Sequence, residues 1–544
     1  MCNGIAREYK LSVLPNSVER DTLEQQTLVT SRYVHLYQSG RKVAAYHALT
    51  MDSVFGGAGL SIILQQFRMP TKTGAVLDQV SGKSKLKQAK QVIATLLKLG
   101  FLRNPDDPSE DLQLARLRKE ALKSEVRFLY IVPTTHCNLR CVYCHIGRPA
   151  RDALGTTIEV GEASAAVDLF ARFASQQALP KEIMFYGGEP LIAFNRVEEA
   201  TLRAQELSRQ GAISGTLRIS IFTNATLVTP SIARRLANLG ITVVVSIDGP
   251  PGLHDIARVR PDGSGSYKAT ARGLCLLREA GCTIGLSLVV GEHNVAYLPE
   301  AVDYLQDMFR PADIGLSTLH LFADGSNPAF VPMTTVTQAL IETFRRTRQR
   351  SLYVEHIFRR VRPFVERLPR LKDCPSCGGK IVVVPGYRVG FCEAFMESDF
   401  YVYPVSDFKL TGNKDYDRWC GRAPVFWNEC LDCSALTICG GGCPYDAWAK
   451  AGDIFTLDTG RCEQARMLLE WLIWDLAEQT GWQSWEPWSL FIPTSEARYR
   501  IYGLVRQNRN IPLQEYSRFG EYLDLSRKSC GVMSSVDGCT LRTE

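Results

Sequence analysis

No run of about 18 apolar residues occurs in the 544-residue chain, so no bilayer-spanning helix is expected. The first residues, Met1-Cys2-Asn3-Gly4-Ile5, lack a basic stretch followed by an apolar one, and no signal peptide is read there. Strong charge of either sign is missing too. The 63 Lys and Arg against 57 Asp and Glu leave a formal +6, too little at this length to point to nucleic acid or a membrane surface. The 45% hydrophobic and 22% charged content is ordinary for a globular protein. Cysteine is not scarce. Seventeen of them without a secretion signal point to metal or redox use in a reducing compartment rather than a disulfide frame, and a cytoplasmic location is expected.

The length suits about three or four domains. Residues 1–31 are polar and weakly patterned and read as a loose arm. Tyr33–Gln38 and Lys42–Leu49 read as strands joined by Ser39-Gly40-Arg41, a hairpin signal, with helical periodicity at Leu60–Phe67 and Lys85–Leu99. Residues 1–123 are therefore read as an arm plus an α+β module of winged-helix type. From 124 to 330 strands and helices alternate. Strand-like runs fall at Phe128–Val132, Glu182–Phe185, Leu217–Phe222, Thr242–Ile247, Thr283–Val290 and Ile314–Leu321. Helical stretches lie between them, which predicts an α/β fold of parallel βα units, a partial (β/α)6 TIM-like barrel. Residues 331–373 read as a basic helical linker, 374–465 as a cysteine-rich domain, and 466–544 as a helix, an aromatic stretch and a small polar tail from Ser529.

Cys137, Cys141 and Cys144 are spaced C-x3-C-x2-C directly after the first strand of the alternating region. In such folds the loops after the strands carry the chemistry. A four-iron cluster takes four thiolates. Three in one tight loop suggest a cluster with one iron open to a small chelating molecule. The alternative is a zinc site, but structural zinc takes four closed ligands, and His145 beside Cys144 would strain that geometry. The second strand ends in Tyr186-Gly187-Gly188-Glu189-Pro190, where glycines permit close approach to the backbone and exposed carbonyls with a carboxylate suit an ammonium group.

Together with Thr223-Asn224-Ala225-Thr226 and Ser246-Ile247-Asp248-Gly249-Pro250, these motifs resemble the radical S-adenosylmethionine (SAM) superfamily. The resemblance covers about 126–323. It implies a [4Fe–4S] cluster on Cys137, Cys141 and Cys144, with SAM on the open iron as the source of a 5′-deoxyadenosyl radical. It further implies that Gly187, Gly188, Glu189 and Pro190 hold the methionine amino group and that Tyr143 lies near the adenine through its backbone. Asn224, Ser246 and Arg258 match polar positions that contact the ribose or carboxylate. Arg258 also makes physical sense, because a guanidinium pairs well with a carboxylate. One departure is Ala225, where the family often has glycine.

Cys430-x2-Cys433-x5-Cys439-x3-Cys443 resembles the core of the SPASM domain, a C-terminal extension of many peptide-modifying radical SAM enzymes. With Cys374, Cys377, Cys392 and Cys462 it supplies eight thiols. The resemblance implies two further [4Fe–4S] clusters, three in all: one on Cys374, Cys377, Cys392 and Cys443, the other on Cys430, Cys433, Cys439 and Cys462. Fully ligated clusters suit electron transfer; a pair of zinc ribbons is the alternative. Gly386 lies one position early for the family's usual spacing before Cys392. Glu393 stands where related sulfatase-maturating enzymes carry a proton-accepting aspartate, and is the candidate catalytic acid–base. Of the other cysteines, Cys275, Cys282 and Cys420 are read as inert, while Cys2, Cys530 and Cys539 receive no role.

The arginines at 345–370 are read as a solvated linking face, with an acidic peptide as the alternative partner. The tryptophans at 471–488 are read as core, with a peptide-contact surface as the alternative. The expected function is peptide maturation: hydrogen abstraction from a ribosomally made peptide, giving an oxidative cross-link or related oxidation. Expected partners are that peptide and a reductant such as flavodoxin or ferredoxin; the N-terminal module is read as holding a leader segment of the peptide, with a purely structural lid as the alternative. The rival readings are a sulfatase-type maturase forming formylglycine and a non-catalytic iron–sulfur protein for electron transfer or sensing.

Overall fold

The computed structural model describes residues 23–146, 155–174, 176–350, 352–396, 401–483 and 485–503, and two compact units are present. The expected arm up to residue 22 and the polar tail, with Cys2, Cys530 and Cys539, lie outside the described residues.

The first unit comprises Met1–Arg116, Asn428–Leu436 and Glu470–Arg498. Its strands are β1 (Thr27–Thr30), β2 (Val34–Ser39), β3 (Lys42–His47), β4 (Ser53–Gly56), β5 (Thr71–Lys72) and β6 (Leu102–Arg103). β1 lies between β5 and β6, while β2, β3 and β4 form an antiparallel meander. The expected hairpin is present: Ser39 pairs with Lys42, and Gly40 takes φ +59° at the first central position of the two-residue turn. The loose-arm expectation fails at its C-terminal end. Leu23–Gln25 form a short helix, and Leu28 of β1 is fully buried among Val43, Ile63, Phe67, Ile93 and Phe101. Apolar side chains on both faces of a four-residue strand outweigh its polar flanks.

A run of glycines opens the helix Ala58–Gln66 for a steric reason. A Cβ on Gly57 would sit 2.2 Å from the Glu486 carbonyl oxygen, and one on Gly59 2.4 Å from that of Pro487. This close approach seats Trp488 and Leu490 against the same core, so part of the aromatic stretch is core, as expected.

The second unit comprises Leu117–Trp427, Thr437–Leu469 and Tyr499–Glu544. Its strands are β7 (Phe128–Ile131), β8 (Lys181–Phe185), β9 (Leu217–Thr223), β10 (Thr242–Ser246), β11 (Ile284–Val290) and β12 (Ile314–Thr318), followed by β13 (Lys380–Val384), β14 (Arg388–Gly390) and β15 (Val402–Pro404). β7 to β12 pair in sequence order, each parallel to the next, and helices fill the crossovers. Burial on both faces explains their continuous apolar runs, such as Val243, Val244 and Val245. The α/β alternation is thus present, strand for strand.

The sheet runs on past β7. β13, from the cysteine-rich segment, pairs parallel with β7, and β14 and β15 follow antiparallel. The early Gly386 is absorbed in the β13–β14 turn, where Val384 pairs with Arg388 and both Gly386 and Tyr387 take positive φ, +81° and +51°. The last strand, β16 (Leu490–Phe491), pairs with β4 in the first unit.

The basic linker is two helices, Met333–Gln349 and Glu355–Glu366. Its arginines are mixed: Arg345, Arg350 and Arg367 are exposed, as expected of a solvated face, whereas Arg348 and Arg370 are buried. Arg346 and Arg350 meet Glu300, Asp303 and Asp307, and Arg360 and Arg370 converge on Asp373 at 2.8 and 2.6 Å. Charges spaced around both helices meet acids on a neighbouring helix and loop, which leaves those four arginines committed within the fold.

The glycine-dependent contact gives a test. Gly57→Ala should cost roughly 1–3 kcal/mol through overpacking. Hydrogen exchange in the helix Lys83–Lys98 of the same core should accelerate, while the strands β8 to β11 keep their protection.

Candidate active site

The cysteine loop has no regular hydrogen-bond ladder, so its backbone is satisfied from outside. Arg140 N donates to the Val259 carbonyl at 2.7 Å, and Val142 N to that of Ala257 at 2.9 Å. Ahead of the loop, Thr135 N donates to Thr156 O at 2.9 Å. Asn138 reaches across with its amide to the Thr226 hydroxyl at 2.7 Å and accepts from the Asn224 amide at 2.9 Å. Asn224 therefore braces the loop directly, and its Nδ2 lies 4.0 Å from Cys137 Sγ. The residue after it, Ala225, takes φ +57°, which accounts for the glycine usual at that place.

The turn after β8 docks on the same loop. Gly188 N donates to Thr134 O at 3.0 Å and Glu189 N to His136 O at 2.7 Å. A Cβ on Gly188 would lie 2.1 Å from the His136 carbonyl oxygen, so this glycine serves contact between two protein backbones. The expectation that Glu189 presents its carboxylate to a ligand meets a different geometry. Oε1 accepts from Leu191 N at 3.1 Å and the Thr223 hydroxyl at 2.7 Å, and Oε2 from Asn224 N at 2.8 Å. Burial raises its carboxyl above the ordinary value, against the three donors. The carboxylate locks the end of β8 to the end of β9. Pro190 begins the short helix that follows.

Ser246 ends β10, in register with Ser287 of β11. Two residues on, Asp248 is fully buried, and nothing in the motif Ser246-Ile247-Asp248-Gly249-Pro250 marks its role. Its Oδ2 accepts from the Tyr143 hydroxyl at 2.6 Å and from His293 Nε2 at 3.2 Å, and faces Arg258 Nε at 3.0 Å. Its Oδ1 accepts from Val289 N at 3.0 Å. Burial opposes the charge, but Arg258 and His293 hold the Asp248 carboxyl below its ordinary value. Arg258, expected at the SAM carboxylate or ribose, thus has its Nε paired with an internal acid. Behind it, Asp248 N donates to His254 Nδ1 at 3.3 Å, and burial pushes that imidazole down to about 3. His254 Nε2 meets Ser266 at 3.0 Å, whose hydroxyl donates to Arg258 O at 2.6 Å.

The three loop thiols lie within electrostatic reach of one another, and burial pushes Cys137 up to about 11 and Cys141 up to about 12. Three half-buried thiols in one loop form a donor set that fits an iron–sulfur cluster.

Of the other cysteines, Cys374 interacts with Cys377, Cys392 and Cys443, and Cys392 with Cys443. Cys374 and Cys377 precede β13, Cys392 follows β14, and Cys443 caps the helix Pro444–Ala451. Burial raises Cys377 to about 12 and lifts Cys392 and Cys443 as well. Cys439 and Cys462 are likewise neighbours. Cys430 and Cys433 belong to the first unit, where Arg32 holds the intervening Asp432 at 2.6 Å.

Glu393 bonds to buried Lys380, whose Nζ also sits 4.2 Å from the centre of the Tyr130 ring. Burial alone would raise the Glu393 carboxyl, but the Lys380 ammonium holds it below its ordinary value. Lys380 escaped the sequence reading, because a lysine opening the run Ile381–Val384 looks like a strand flank. The same holds for His320, 3.2 Å from Asp446 and 3.8 Å from Cys443 Sγ. The partners come from segments more than a hundred residues apart.

The Radical SAM superfamily pattern matches residues 131–305, so this segment, from the end of β7 to the helix after β11, is a radical SAM domain. The chain is 24% identical over 379 residues to the radical SAM cyclopropyl synthase TigE of Paramaledivibacter caminithermalis, covering 66% of this chain and 76% of that protein. It is 24% identical over 334 residues to a serine-type anaerobic sulfatase-maturating enzyme of Klebsiella aerogenes, covering 57% and 77%. The fold is similar to that of native anSMEcpe with bound AdoMet and Cp18Cys peptide. The TM-score is 0.54 at 17% identity, over 65% of this chain and 99% of that one. The chain thus carries a radical SAM segment and is similar to a radical SAM cyclopropyl synthase and to sulfatase-maturating enzymes. Among the described residues no helix is long and apolar enough to cross a membrane.

Gly188→Ala tests the docking of the two turns. The added methyl should separate them and lower the iron retained after reconstitution, with a weaker cluster signal by electron paramagnetic resonance. Retention equal to wild type would show that the turn yields without disturbing the loop.

Proposed function

We propose that the protein is a radical SAM/SPASM peptide maturase, built as a partial (β/α)6 barrel with a winged-helix-like N-terminal module and a C-terminal SPASM domain. The observation that carries this reading is the bracing of Cys137, Cys141 and Cys144 at the strand ends where the chemistry of such folds lies. Cys137, Cys141 and Cys144 would hold the cluster that, with SAM bound, supplies a 5′-deoxyadenosyl radical. Cys374, Cys377, Cys392 and Cys443 would hold a second cluster, and Cys430, Cys433, Cys439 and Cys462 a third, as a route for electrons leaving the substrate.

The chain's own residues do the rest. Because Glu189 is turned inward, the methionine amino group is left to the backbone carbonyls of the Gly187–Pro190 turn. The backbone of Tyr143 would face the adenine, and Asn224 and Ser246 the ribose and carboxylate. The apolar group Tyr130, Val132, Ile146, Met184, Val382 and Met396 keeps water from the interior of the sheet. Glu393, fixed by Lys380 beside Cys392, would accept the proton released when the substrate loses hydrogen. The substrate is a ribosomally made peptide, and its leader would add a strand to β2, which pairs only with β3 among the described strands. A flavodoxin or ferredoxin would supply the electron.

The favoured outcome is an oxidation that removes two hydrogens, with bond formation at carbon. A cyclopropyl synthase among the relatives supports ring closure as one form of it. The serine-type maturases support formylglycine as the second reading. Both remove two hydrogens, so a hydrazine probe separates them: only formylglycine carries an aldehyde.

Anaerobically reconstituted protein, reduced and given SAM, should release 5′-deoxyadenosine, and serine at Cys137, Cys141 or Cys144 should abolish it. No 5′-deoxyadenosine from the wild type would remove the enzyme reading and leave the electron-transfer one. Glu393→Gln should keep SAM cleavage while lowering peptide product about 10²-fold or more, read by mass spectrometry of the co-expressed peptide.

A further inference from the structure

We propose that Asp248 is a positioning residue for the radical-generating site. Through the Tyr143 hydroxyl it sets the backbone of the cysteine loop against which the SAM nucleoside packs. The inference rests on the reading of Cys137, Cys141 and Cys144 as the SAM-activating triad.

Tyr143 stands between the second and third cysteines, so its backbone belongs to the loop while its side chain points into the protein. Its hydroxyl meets Asp248 at 2.6 Å, the short distance of a charge-assisted hydrogen bond. Its ring is gripped by two groups that are themselves held by Asp248. The His293 ring stacks on it at 5.7 Å and 20°, and the Arg258 guanidinium lies 5.5 Å from its centre. Three separate segments therefore converge on one carboxylate: the cysteine loop, the stretch after the helix Pro251–Ala257, and the turn after β11. The loop's backbone clips, Arg140 to Val259 and Val142 to Ala257, land on either side of Arg258. Moving Asp248 thus moves both the ring and the backbone ledge of the loop.

Stability does not account for such a residue. Burying a carboxylate costs several kcal/mol before its partners compensate, and an apolar side chain of similar volume would fill the space. What an apolar residue lacks is direction. It cannot hold a hydroxyl, an imidazole and a guanidinium at fixed bearings around one point, whereas a carboxylate with four acceptor sites does.

The test uses the reconstituted full chain. Tyr143→Phe deletes the hydroxyl and keeps the ring, so the fold is retained. KM for SAM in peptide-free cleavage should rise about tenfold with kcat within about threefold, because ground-state seating is what is lost. The change that SAM induces in the electron paramagnetic resonance signal of the reduced Cys137–Cys144 cluster should weaken in parallel. Asp248→Asn should produce the same two effects more strongly, and Asp248→Glu should restore part of them. Tyr143→Phe that matches wild type in both KM for SAM and the SAM-induced spectrum overturns the proposal. So does a pair of variants that lose thermal stability alone. Wild-type protein that binds no SAM would overturn both this proposal and the functional reading beneath it.

Discussion

The cysteine loop runs from Cys137 to Cys144 without helix or strand, and the need to hold it organises the second unit. Its amide groups have no ladder of their own and must be met by neighbours. The carbonyls of Ala257 and Val259 meet the amides of Val142 and Arg140, while strand ends hold the rest: the Gly187–Pro190 turn after β8 docks on the carbonyls of Thr134 and His136, Asn224 after β9 holds Asn138, and Asp248 after β10, itself held by His293 after β11, holds Tyr143. Glu189, Asn224, Asp248 and His293 are polar and sit where a parallel sheet leaves its C-terminal edge open. The helices and the apolar strands beneath are the frame that brings those edges into register.

Two buried carboxylates divide the task. Glu189 is satisfied wholly by hydrogen-bond donors and joins two adjacent turns. Asp248 is satisfied by mixed charge and hydrogen bonds and gathers three segments. Both were in motifs whose residue types suggested ligand contact, and both face inward. These two side chains are thus scaffold for the turns that carry them.

The strand order was legible in the sequence. Parallel strands buried on both faces read as apolar runs, and Phe128–Ile131 through Ile314–Thr318 fall within a few residues of where those runs lie. The cysteine spacing was legible too, because three thiols in eight residues form a local pattern. Other features were not. β1 was missed because a four-residue strand carries too little periodicity to stand out from a polar arm. The ion pairs of Arg350 and Arg370 were not legible because their partners Asp303, Asp307 and Asp373 are not marked as such by any local pattern. Lys380 looked like the edge of a strand, yet it is buried against Glu393 and Tyr130.

By itself, the sequence determined the inventory of this protein: an α/β alternation, a C-x3-C-x2-C loop after its first strand, and a second cysteine-rich block. Those are local properties, set by side-chain period and by the spacing of residues along one short stretch. Only the tertiary structure decided that Cys430 and Cys433 belong with the N-terminal unit and that Asp248 holds Tyr143. Buried charge needs partners from every side. Those partners are brought together by sheet pairing and loop packing, whose effect on distance is not written in any one segment.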